Sequence, residues 1–102
     1  MDEIEEIRKK RFQYLHRLWE ATGGDVHNRV GFLELGEQLG FDQNLTLKIT
    51  DYLYHKGWAR PCPGGGIVIT YEGIEVIEEV LFDPKKRKIG FELPEDEVES
   101  EQ

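Results

Sequence analysis

The stretch QNLTLKITDYLYHKGW, residues 43–58, sets Gln43, Asn44, Thr46 and Lys48 within six positions of one another. Amide, hydroxyl and ammonium groups are the side chains that hydrogen bond to the edges of bases in a nucleic-acid groove. Arg60 follows downstream. Two basic runs, Arg8 to Arg11 and Lys85, Lys86, Arg87 and Lys88, offer charge to a phosphate backbone. Asp51 interrupts this set, since a carboxylate facing phosphates is repulsive. At about 100° per residue, a helix here buries a face centred near Leu45 and Ile49. Gln43, Leu47, Thr50, Asp51 and Tyr54 then lie opposite, with Asn44, Lys48 and His55 at the margin. Leu47 and Tyr54 are an aliphatic and an aromatic anchor flanked by polar groups, which suits either a protein contact or packing under the hairpin or a neighbouring helix better than a base.

Charge argues against a bulk electrostatic attraction to nucleic acid. The 102 residues carry a formal net charge of −8. Residues 92–102 hold six acids and no base, but the acidity is not only there: residues 12–84 contain eleven acids and five bases, a net of −6. Phosphate binding draws much of its affinity from cations that release counterions. Any such contact must therefore come from local patches.

Other chemistries find little support. His16, His27 and His55 are scattered, and the single cysteine, Cys62, has no partner at metal-ligand spacing, so no metal site or cofactor is expected. No nucleophile and base stand out as a pair, and the reading is of a protein that is not an enzyme. Gly64 to Gly66 permit a tight turn, and they lack the context of a phosphate-cradling loop. The start, MDEIEEIRKK, is not that of a signal peptide, and no apolar run approaches the ~20 residues of a membrane span. A soluble, cytoplasmic protein is expected.

The elements that would position these residues follow from spacing. Ile4, Ile7, Arg11, Leu15, Leu18 and Trp19 recur every three to four residues, predicting a first helix over 3–22 that stops at Gly23-Gly24. A short strand is expected near 28–30. Phe32, Leu35 and Leu39 mark a second helix, with Gly40 as its left-handed cap. Asp42 or Asn44 caps a third helix, which ends at Gly57. WAR and IVIT, separated by PCPGGG, read as a hairpin. Thr70 caps a fourth helix to about Phe82, stopped by Asp83-Pro84. That helix carries more apolar residues than one face requires, including Val76 and Val80, and this surplus suits a dimer seam, although core packing alone also accounts for it. The fold expected is mainly α with a small β-hairpin, in the order α-(β)-α-α-β-β-α. A domain spans 1–90, and 91–102 have the composition of a disordered acidic tail.

LGEQLGFDQNLTLKITDYLYHKGWARP, the turn at 61–66 and ITYEG at 69–73 together resemble the winged helix-turn-helix superfamily, in particular compact regulators of the MarR and PadR type. The resemblance covers residues ~31–77, through Leu53, Gly57, Trp58 and Arg60 and then Ile69, Thr70 and Gly73. It implies a DNA-binding module for transcription regulation, with the third helix reading bases and double-stranded DNA as partner. The alternative is a protein-interaction or homodimerisation module using Leu47, Tyr54, Val76 and Val80.

Overall fold

The computed structural model describes residues 2–82. The basic run at 85–88 and the acidic stretch at 91–102 lie outside the described residues. Four helices and a three-stranded antiparallel sheet follow the expected order: α1 (Asp2–Thr22), β1 (Val30–Gly31), α2 (Phe32–Gln38), α3 (Gln43–Lys56), β2 (Ala59–Cys62), β3 (Gly66–Ile69) and α4 (Tyr71–Phe82).

α1 is the spine. Its apolar stripe buries Phe12, Leu15 and Leu18, and it packs on all three other helices and on β3. The helix stops at Gly23 and Gly24, whose φ angles of +68° and +73° favour glycine. The expected hairpin gains a third strand. β1 starts at Val30, a little later than its sequence suggests, and pairs with β3 as Val30↔Ile67, giving the order β1-β3-β2. β2 pairs with β3 from Ala59↔Ile69 to Cys62↔Gly66. Ala59, Ile67 and Ile69 therefore share the core face, while Arg60 points to the other side.

α2 packs on α3 with Gly36 facing Thr46. A Cβ on Gly36 would overlap the Thr46 side chain, so only glycine admits this crossing. Gly40, at φ +79°, turns the chain, and Asp42 caps α3 by accepting from the Leu45 amide at 2.8 Å. The crossing sets the rotation of α3 about its axis. Thr46, Ile49, Thr50 and Leu53 are buried, and Leu45 and Tyr52 are only half-buried. Thr46, expected to approach bases, and Thr50, expected to face outward, thus both point inward. The buried face lies about one residue on from the one that the apolar spacing suggests.

The end of α3 is tied to the start of α4. The Thr70 hydroxyl donates to the Gly57 carbonyl at 2.7 Å and accepts from the Gly73 amide at 3.0 Å. Gly73 lies so close to the Trp58 carbonyl that no Cβ fits there. α4 then lies along α1, with Trp19 Nε1 donating to Glu78 at 3.2 Å. Val80, expected in an outer seam, is fully buried, and Val76 is half-buried against the core. α4 packs on α1 and buries Ile77 and Val80, while Tyr71 and Phe82 at its two ends stay exposed.

Two consequences are measurable. The Thr46 hydroxyl is buried and makes no hydrogen bond among the described residues. Thr46→Val keeps the shape and removes that unbonded group, so urea unfolding should show a gain of about 1 kcal/mol, whereas Gly36→Ala should cost about 1–3 kcal/mol. Tyr14 is fully buried and its hydroxyl donates to the Phe32 carbonyl at 2.8 Å. Burial, and then the neighbouring Tyr54, push its pKa well above the usual tyrosine value. The fold thus favours the neutral phenol. This contribution is complete below the unfolded value of about 10 and is lost as pH rises above it. Stability should fall above about pH 10. Tyr14→Phe should lose about 1 kcal/mol at neutral pH and flatten that alkaline fall.

Candidate functional site

With its rotation fixed, α3 presents Gln43, Asn44, Leu47, Lys48, Asp51 and His55 to solvent. Of the side chains expected to read bases, Gln43, Asn44 and Lys48 are exposed and clustered in the first two turns. Thr46 is not among them. Leu47 is 43% exposed and is the one large apolar residue on this face. Tyr54, the second expected anchor, is half-buried against the core, and that burial is the main cause of its raised pKa.

Cations collect on the α1 side of this face. The Arg11 guanidinium stacks 3.7 Å from the centre of the Tyr52 ring, a cation–π contact that holds it in place. Tyr52 meets Trp58 edge-on at 6.2 Å, and Lys56 lies 5.5 Å over the Trp58 ring. Arg11, Lys48, Lys56 and His55 surround a shallow groove of about 380 Å³, with Asp51 as its one acid among the described residues. Two aromatic rings between two cations give this patch a rigid frame, although the domain around it is acidic. Lys56 and the role of Tyr52 as a platform are not legible in the sequence. Arg11 and Lys48 are 37 positions apart, and only the packing of α1 on α3 brings them together.

The tip of the β2–β3 hairpin holds a further arginine. Arg29, just before β1, donates from Nη2 to the Pro63 carbonyl at 2.6 Å. Its guanidinium lies over Gly66, where a Cβ would collide with it, and next to Gly64. The glycines of the tip thus make room for a cation as well as a turn, with Gly64 and Gly65 at φ +80° and +84°. Arg60 is exposed on β2 but faces elsewhere, lining a groove with His27, Tyr54 and Tyr71. Lys85, Lys86, Arg87 and Lys88 lie outside the described residues.

Among the described residues, no group of three or more His, Cys, Asp or Glu is placed to hold a metal ion. Cys62 is half-buried. No helix among them is long and apolar enough to cross a membrane. No protein-family model, curated protein or solved structure matches the chain.

Proposed function

We propose that the chain is a winged helix-turn-helix module that binds double-stranded DNA with the exposed face of α3. The observation that carries this reading is the polar first half of that face, where Gln43, Asn44 and Lys48 stand together beside a framed cation patch. Carboxamides can bond bidentately to adenine, and a lysine can bond to guanine or to a phosphate. Arg11 and Lys56 would hold phosphates on one side of the helix, and Arg29 would do so from the hairpin tip. Asp51, one turn after Lys48, repels phosphate, so base contacts are confined to the N-terminal half of α3.

The three-stranded order β1-β3-β2, with the third helix exposed beside a hairpin, supports the resemblance seen in the sequence. The competing reading, a protein contact through Leu47, Tyr54, Val76 and Val80, draws less support. Val80 is inside, Tyr54 and Val76 are partly covered, and Leu47 is exposed among the polar Gln43, Asn44, Lys48 and Asp51. A net negative domain can bind DNA in this way only through its local cations, so affinity should be modest and strongly dependent on salt.

Fluorescence anisotropy with a mixed-sequence duplex tests this. The full chain should bind at low salt and lose affinity steeply at moderate salt. Lys48→Glu should abolish binding, and Asp51→Asn should strengthen it several-fold. Asn44→Ala should lower discrimination between sequences more than total affinity, by about 1–3 kcal/mol at one base pair. Absence of binding at low salt would rule the proposal out.

A further inference from the structure

A second groove, of about 630 Å³, opens between the N-terminal half of α1 and the start of α3 and shares Arg11 and Lys48 with the first. Its apolar lining is Ile4, Ile7 and Leu45, and its cationic rim is Lys10, Arg11 and Lys48. Ile4 is 66% exposed, one of the few large apolar side chains left in solvent among the described residues. Glu3 and Glu6 also line it, and Glu6 lies 3.3 Å from Lys10. An occupant of matching chemistry would set apolar side chains against the isoleucines and carboxylates against Lys48 and Arg11.

The chain contains such a segment. FELPED, residues 91–96, alternates Phe91 and Leu93 with Glu92, then continues through Pro94 into Glu95 and Asp96. Phe91 and Leu93 supply the apolar side chains, and Glu92, Glu95 and Asp96 supply the carboxylates. The distance is within reach. Phe82, the last residue of α4, rests edge-on against Trp19 at 6.4 Å. Ile7 lies twelve residues before Trp19 on α1, about 18 Å along the helix axis. The nine residues from 83 to 91 span up to about 30 Å when extended.

We propose that residues 91–96 dock in this groove of the same chain, Phe91 and Leu93 against Ile4, Ile7 and Leu45, and the carboxylates on Arg11 and Lys48. The docking itself does not depend on DNA. Its consequence rests on the DNA-binding reading: the segment takes the two cations that phosphates would use, so the chain carries its own competitor. A segment that occupies the groove nine-tenths of the time weakens apparent DNA affinity about tenfold.

Paramagnetic relaxation in the full chain tests the docking. Cys62→Ser removes the native thiol, and Ser100→Cys accepts a nitroxide label. The expected result is selective broadening of the Ile7, Arg11, Leu45 and Lys48 amides. Leu93→Ser, or neutralisation of Glu92, Glu95 and Asp96 to their amides, should relieve it, and so should added salt. Absent or uniform broadening would overturn the proposal. So would broadening that persists when the label and the observed nucleus sit on different copies, since the occupant would then be a neighbour. A parallel DNA titration separates the two readings. The neutralised full chain should bind about tenfold tighter than the native chain. Selective broadening with no DNA binding by either chain leaves the docking intact and removes only the DNA reading.

Discussion

Where α2 crosses α3, the missing side chain of Gly36 receives Thr46, and the rest of the molecule's surface chemistry depends on that fit. A Cβ at this point would push the helices apart or rotate one of them. With the fit in place, Thr46 and Thr50 turn inward beside Ile49 and Leu53, and the residues between them have no choice of face. Gln43, Asn44, Lys48, Asp51 and His55 come out together. The cost is a buried hydroxyl without a hydrogen bond among the described residues, which an aliphatic residue of the same shape would avoid. The far end of α3 is held separately, through the Thr70 bridge between Gly57 and Gly73. A helix clamped at both ends is a rigid support for an exposed polar face.

Net charge is a poor guide to such a surface. The chain is acidic as a whole, yet Arg11, Lys48 and Lys56 gather beside a single carboxylate in one groove. Tyr52 and Trp58 give two of these cations, Arg11 and Lys56, aromatic faces to rest on. Beyond about a Debye length the acids elsewhere are screened, so the local arrangement decides close contacts.

Much of the fold was legible because its signals are local. Glycine stops, the Asp42 and Thr70 caps and the Pro/Gly turn mark where helices and strands end, and these boundaries recur in the structure within a residue or two. Helix rotation was less legible. Leu45 and Tyr52 look like core residues by hydropathy, but the buried spine uses Thr46 and Thr50, whose small branched side chains fit a tight crossing. Val80 was misplaced for a related reason: on an apolar helix, spacing alone does not say which residues meet α1. The cation groove was the least visible part, because Arg11, Lys48 and Tyr52 converge only through tertiary packing. Arg29 was hidden similarly, since its role depends on β1 pairing beside the hairpin tip.

The proposed DNA contact places the outward polar face of α3, with the cations at its edge, against the duplex. The most direct measurement is a two-dimensional ¹⁵N NMR titration of the full chain with duplex DNA at low salt. Shifts are expected at Gln43, Asn44, Lys48 and Arg11, with weaker ones near Arg29 and none along the buried faces of α1 and α4. Shifts absent from α3, or centred instead on α4 around Tyr71 and Phe82, would contradict it.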